Sequence, residues 1–391
     1  MANNDMKKKI CITELKVLKV LGRGAMGTVL LVVRDGFQDH PFALKVIRKN
    51  RNDQQWLNKS RGIERERDIL SSLHHPFLPS LMGEVETDTM AGWAVEYCSG
   101  GDLHHLRQTQ PDRSFSESAI RFYAAEVILA LEHLHSKGIV YRDLKPENIL
   151  LQSSGHIMLT DFDLSKRLLP PSNESHPAPL QHHSIQQRGS LPDSSKMPSC
   201  NAKNSCSTTQ ISSALNQNGI LRSNSFVGTD EYVAPEIING KGHGFCVDWW
   251  SLGILLYEML YGKTPFKGLN KKETFSRILF MRPKLTGPST PLHDLIVRLL
   301  EKEPVKRLGF INGAHDVKRH AFFAGLYWES IHLVCRPPVV PDMITSYNYC
   351  TDNMLTSNVE TFVHAAHSVP VNGSECEEND LTSDSEADEI F

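Results

Sequence analysis

The sequence predicts an α+β fold in two lobes, a small β-rich amino-terminal lobe followed by a larger, mainly helical one. Three observations carry that prediction. From Leu15 to about Leu44, β-branched and apolar runs broken by glycine follow one another (KVLKVLGRG, GTVLLVV, PFALKVI), which is the pattern of strands. Beyond Ile63 the apolar spacing lengthens to that of helices. Strands first and helices later describe two segregated lobes rather than an alternating α/β sheet.

The first helical stretch runs around Ile63 to Leu73 and is heavily charged, with Ile69, Leu70 and Leu73 on one face. The second, Ile120 to His135, carries an apolar stripe of Phe122, Val127, Ile128, Leu131 and Leu134. Composition then changes: residues 168–222 are rich in Ser, Pro, Gln and Asn and poor in large apolar side chains. Such a segment cannot bury enough surface to offset its ordering entropy, so a disordered insertion is expected there. The chain is apolar again from Phe226 to about Phe323 and acidic from Ser374 to Glu389. The expected division is a flexible start over 1–14, a domain over 15–323 with lobes 15–97 and 98–323, and a tail over 324–391.

The 391 residues are 40% apolar and 22% charged, with a formal net charge of −3. That balance is ordinary for a soluble globular protein, and no global charge draws it to nucleic acid or a membrane surface. The 8 cysteines include no Cys-x-x-Cys pair. Neither a disulfide framework nor a zinc site is indicated, and reduced thiols in the cytosol or nucleus are expected. Met1 to Ile10 is polar and lysine-rich, unlike a signal peptide, and the apolar run Leu252 to Leu260 is too short to span a bilayer.

The first chemical motif is Gly22-Arg23-Gly24-Ala25-Met26-Gly27. Glycines let a strand-turn-strand lie close over phosphates with its amides directed at their oxygens. By itself the pattern also marks a tight hairpin or a dinucleotide fold; its continuation into Val29 and more strand, where a dinucleotide fold would start a helix, tilts it toward the phosphate-covering turn. Lys45, in Ala43-Leu44-Lys45, has apolar neighbours on both sides and needs a buried anionic partner. Glu66 is the candidate, Glu64 facing elsewhere; a solvated helix face is the alternative for both acids.

The densest cluster is Tyr141-Arg142-Asp143-Leu144-Lys145-Pro146-Glu147-Asn148. It combines an acid to accept a hydroxyl proton (Asp143), a cation to neutralise a moving phosphate (Lys145) and a neutral oxygen ligand for magnesium (Asn148). Asp161-Phe162-Asp163 follows, with Asp161 placed to bridge phosphates through the metal. Farther on, Ser225 to Glu236 closes in Ala234-Pro235-Glu236. Glu236 needs a buried cation, for which Arg307 is the candidate, and Asp248 is expected to accept hydrogen bonds from the backbone of the 141–148 loop. His133 and His135 are read as packing or capping residues. His104-His105 and His182-His183 lack companions at metal-ligand spacing.

These motifs identify the resemblance. From about Leu15 to Phe323 the chain resembles eukaryotic protein kinases, and in detail the AGC group. Asp-Phe-Asp, the insertion, SNSFVGTDEYVAPE and VDWWSLGILLYEMLYGKTPF are similar to plant class VIII of that group, in its oxidative-signal-inducible branch. The resemblance implies the bilobal kinase fold and a serine/threonine protein kinase using ATP with Mg2+, or Mn2+ in its place. It places Leu21, Gly22, Gly24, Gly27, Val29, Ala43, Lys45, Glu66, Val95, Glu96 and Cys98 at ATP, with Val95 behind the adenine and Glu96 and Cys98 offering it backbone hydrogen bonds. It makes Arg142 and Lys166 the pocket of a phosphorylated Ser225, and Asp102, Glu147 and Glu258 the acids that read basic residues upstream of the target. It implies protein substrates, oxidative-stress signalling and a monomer in the cytoplasm, with the nucleus and the plasma-membrane periphery as alternatives. Phe391 fits the last aromatic of the Phe-x-x-Phe that recruits phosphoinositide-dependent kinase, but Asp388 stands where the first should be.

Asp163 departs from the glycine usual in Asp-Phe-Gly. Either aspartate keeps the loop geometry because it tolerates positive φ, or its carboxylate impairs the site and leaves a pseudokinase or scaffold.

Overall fold

The glycine-punctuated runs become strands of one antiparallel sheet: β1 (Leu15–Gly24), β2 (Gly27–Arg34) and β3 (Phe37–Arg48), joined by β4 (Gly83–Glu86) and β5 (Met90–Glu96) in the order β1-β2-β3-β5-β4. The computed structural model describes residues 9–24, 27–34, 37–49, 54–168, 223, 225–334, 337–339 and 359–365. The expected insertion therefore lies outside the described residues except for Leu168, which is buried. Phe391 and Asp388 also lie outside them.

Strand alternation sends successive side chains to opposite faces. In β3, Leu44 and Val46 join Leu30, Val32 and Ala94 in an outer core, whereas Ile47 and Trp93 face the core shared with the rest of the molecule. The inner face is covered by α1 (Gln54–Ser71), whose Ile63, Ile69 and Leu70 are buried. The outer face receives a short helix of the tail, α10 (Val359–Ala365), through buried Val359 and Val363. Sequence periodicity had not placed a helix there.

The large lobe is built of α2 (Leu103–Gln108), α3 (Glu117–Ser136), α4 (Pro235–Ile238), α5 (Cys246–Tyr261), α6 (Lys271–Phe280), α7 (Pro291–Leu299), α8 (Ala314–Lys318) and α9 (Ile331–Val334). Short strand pairs sit among them: β6 (Ile139–Val140) with β9 (Lys166–Arg167), and β7 (Ile149–Leu151) with β8 (Ile157–Leu159). Helix α5 has no exposed face: every residue from Val247 to Met259 is buried, Asp248, Ser251 and Glu258 among them. A helix buried all round belongs in the centre of a core, and α3, α7 and the loop before β7 are set around it. Among the described residues no helix is long and apolar enough to cross a membrane.

Candidate active site

The loop between β6 and β7 is fixed from beneath by one carboxylate. Asp248 is fully buried in the first turn of α5; its oxygens accept from the amides of Tyr141 at 2.9 Å and Arg142 at 2.7 Å. His135 Nε2 donates to the same carboxylate at 2.7 Å. His135 is thus part of the loop's support, a role that its position near a helix end did not reveal. Arg142 has φ 72°, a conformation costly for a residue with a Cβ. The two amide bonds to Asp248 hold it there.

That turn presents Asp143, only 8% exposed, to a closed set of donors. Lys145 Nζ lies 3.0 Å from Oδ2, Asn148 Nδ2 donates to Oδ2 at 2.8 Å, and Thr229 Oγ1 donates to Oδ1 at 3.1 Å. Lys145 also reaches Thr229 Oγ1 at 3.1 Å, which ties the loop to the segment before α4. Because the Asn148 amide nitrogen serves Asp143, its carbonyl oxygen is left for a cation. Thr229 was not singled out from the sequence; threonine alone carries no signal for such a contact.

Lys45, in the small lobe, faces the 161–163 segment. On β3 it pairs in register with Val29 of β2 and Trp93 of β5. Its Nζ contacts Glu66 Oε1 and Oε2 at 3.0 and 2.9 Å, Asp163 Oδ1 at 2.6 Å, and Asp161 Oδ1 at 3.7 Å. Burial would lower the Lys45 pKa, but the charges of Glu66, Asp163 and Asp161 outweigh it and raise it. Burial lifts Glu66 well above the carboxylate range, and a hydrogen bond with Asp163 adds to the lift against the Lys45 charge. Burial also pushes Asp163 up, but the bond with Glu66 and the Lys45 charge hold it below its ordinary value.

The positive φ of this segment falls on Asp161 (58°), whereas Asp163 has none. The expectation that aspartate at 163 preserves a left-handed conformation is therefore corrected. Position 163 makes no such demand, and its side chain turns inward to Lys45 instead. Phe162 is buried against Tyr141, with ring centroids 5.4 Å apart.

The glycines at the ends of β1 and β2 differ in what surrounds them. A Cβ on Gly27 would come within 2.4 Å of Val46 O, so close strand approach requires glycine there. Gly22 and Gly24 have nothing within 4 Å of a notional Cβ and border open space. Ala43 is opposite Val95 in the β3–β5 register, and Val29 and Leu21 lie on the two glycine-turn strands. Cys98 is buried with its sulfur 3.6 Å from Met158, while Glu96 accepts from the Ser80 amide at 2.8 Å. A separate groove of about 530 Å³, lined by His75, Leu78, Glu96, Cys98 and Met158, includes none of Lys45, Asp143, Asn148 or Asp161 and is not the reaction cleft. For a divalent cation, Asp161 and the Asn148 oxygen supply the hard oxygen ligands such an ion takes. Carboxylate oxygens of Glu66, Asp161 and Asp163 lie within 4.8 Å of one another.

Arg142 Nη1 reaches Ser225 Oγ at 2.8 Å and Ser223 Oγ at 3.0 Å. Lys166 reaches Ser223 at 3.4 Å, and the Ser223 and Ser225 hydroxyls lie 2.9 Å apart. Burial, only partly opposed by Asp248 and reinforced by Arg65, takes the Arg142 pKa down to about 10. Lys166 is lowered by burial and by the charges of Arg142 and Arg65. Below this pocket Glu236 and Arg307 form a buried pair at 2.7 and 2.9 Å.

The three expected substrate-reading acids differ in availability. Asp102 caps α2 through the His105 amide at 2.7 Å, and the Glu147 side chain is half exposed, 3.4 Å from His104. Glu258, by contrast, is buried between Arg107 at 2.9 Å and the Tyr232 hydroxyl at 2.6 Å. Both of its oxygens are engaged, one by each partner.

A glycine-bordered cleft, a lysine–glutamate pair and an acid–lysine–asparagine loop on a bilobal frame define a protein kinase. The protein kinase domain family matches residues 15–182 and 209–323, and the chain belongs to that family. It is 47% identical over 345 residues to serine/threonine-protein kinase UCN of Arabidopsis thaliana, covering 84% of each chain. Against serine/threonine-protein kinase OXI1 of the same plant, identity is 45% over 371 residues, covering 92% of this chain and 87% of the relative. Protein kinase PINOID 2 of Oryza sativa subsp. japonica is 41% identical over 390 residues, covering 85% and 78%. The resemblance to plant AGC kinases and the bilobal fold are borne out. The protein is a serine/threonine protein kinase; ATP, a divalent cation and protein substrates follow from the family.

Proposed function

We propose that this kinase transfers the γ-phosphate of Mg-ATP to serine or threonine in intracellular signalling proteins with basic residues upstream of the target. The reading is carried by the Asp143 carboxylate, held by Lys145, Asn148 and Thr229 at one end of a cleft whose other end is Lys45. Asp143 orients the incoming hydroxyl and takes its proton as oxygen bonds to the γ-phosphorus and the bond to the bridging oxygen of ADP breaks. Lys145 offsets charge on the moving phosphoryl group, and Lys45, held by Glu66, pairs the remaining phosphates. Asn148 and Asp161 would hold magnesium, which when bound would supply charge neutralisation for the phosphates. Loose phosphoryl transfer asks for positioning and charge stabilisation rather than covalent help.

Phosphate on Ser225 would offset the desolvation and the neighbouring positive charge that lower Arg142 and Lys166, ordering the segment through charge-assisted bonds. Asp102 and Glu147 support the basic preference; Glu258 contributes only if a substrate arginine displaces Arg107. The Asp163–Lys45 contact favours one competing reading, an impaired scaffold. Phosphate transfer from labelled ATP to a basic peptide, with phosphosites mapped on the full chain, separates the two. Transfer by the wild type and its reduction by about tenfold or more in Ser225→Ala is expected; nucleotide binding with no transfer would establish the scaffold.

A further inference from the structure

Lys45 has more partners than a kinase lysine needs. An ammonium group has three N–H donors. Two face the Glu66 oxygens at 3.0 and 2.9 Å, and the third faces Asp163 Oδ1 at 2.6 Å, the shortest of the three contacts. No donor is left over for a phosphate oxygen. Asp161 at 3.7 Å adds another carboxylate to the same surroundings.

We propose that Asp163 is a positioning residue that competes with the nucleotide for Lys45, so that phosphate binding must first release the Asp163–Lys45 bond. This inference rests on the reading of Lys45 as the phosphate-pairing residue.

Of the two holders, Glu66 binds through both oxygens from within α1 and is 4% exposed, so it is the fixed one. Asp163 binds through one oxygen from the start of the activation segment and is the holder that yields. Its carboxylate also places negative charge where a polyphosphate must approach, a repulsion that the partly buried cleft screens poorly. The backbone at 163 makes no left-handed demand, so the aspartate acts through its side chain. A glycine in its place would leave the third N–H of Lys45 free. A lysine kept in position yet occupied binds ATP more weakly, while the rest of the cleft, including the adenine side, is unaffected.

The test measures equilibrium binding of ATP and of adenosine to the full chain in the presence of a chelator, for wild type, Asp163→Gly, Asp163→Asn and Lys45→Met. Asp163→Gly is expected to tighten ATP by about tenfold and to leave adenosine within about twofold. Asn keeps an acceptor oxygen but no charge and should tighten ATP by about threefold. With magnesium, KM for ATP falls in both variants without a matching rise in kcat, the split expected when ground-state binding changes. ATP affinity unchanged or weakened while adenosine still binds overturns the proposal. Loss of both ligands in the Gly and the isosteric Asn variants overturns it too, because Asp163 would then support the fold. Failure of the underlying kinase reading looks different: Lys45→Met would leave ATP affinity intact.

Discussion

The two ends of the cleft are organised in different ways. At the large-lobe end, Asp143 sits on a loop whose strained turn is pinned by a fully buried Asp248, and its donors come from the loop and the adjoining segment. Each carboxylate there has its donors. At the small-lobe end, one cation from β3 is shared by three carboxylates, one from α1 and two from the activation segment. The first end is complete and locally determined. The second carries surplus negative charge and depends on three separately positioned elements, so it is the end expected to respond to nucleotide and to changes after Asp161.

The largest expected effect tests whether the ends are independent. Asp143→Asn should lower kcat by about 10³-fold or more, the scale of a lost base and positioning group, while ATP affinity stays within about twofold. Steady-state kinetics on a basic peptide together with nucleotide binding measures both. A large loss of ATP affinity would break the comparison, because the ends would then be one unit.

A smaller effect concerns the frame beneath the large-lobe end. Arg307→Met leaves the Glu236 charge buried without its partner and should cost about 3–5 kcal/mol of unfolding free energy. Urea unfolding followed by tryptophan fluorescence reports it. A change below about 1 kcal/mol would mean that the pair is not what holds the segment to α5.

The smallest effect sharpens the boundary between the ends. His243 is buried, 3.3 Å from Arg142; burial and that charge lower its pKa to about 4, against weaker opposition from Glu236 and Asp248. An unfolded histidine takes up its proton near pH 6.5. The unfolded chain therefore binds the extra proton between these values. Stability contributed by neutral His243 is complete above pH 6.5 and falls as pH drops toward 4, by at most about 1.4 kcal/mol per pH unit. Urea midpoints at pH 7 and pH 5 should fall farther for wild type than for His243→Gln; equal shifts would place the titration elsewhere.

The lysine–glutamate contact and the Glu236–Arg307 pair were legible in the sequence, because an ionisable side chain among apolar neighbours must find an opposite charge, and the Asp248 anchor because a buried carboxylate needs donors, here backbone amides. Strand and helix periodicities likewise led to β1–β3, α1 and α3. β4 and β5 lie beyond the strand pattern legible from Leu15 to about Leu44, and the α10 helix gave no signal in the tail.

Local order and chemistry were set by the sequence itself: the two-lobed succession of elements, the run 141–148, and which charges required partners. Only tertiary structure decided which partner was met when several were within reach. It turned Asp163 toward Lys45, closed Arg107 over Glu258, and set Lys166 against Ser223. Sequence spacing constrains residues a few positions apart. Contacts between residues 45 and 163, or 107 and 258, depend on how separate elements pack, and burial then strengthens whichever pairing the packing permits.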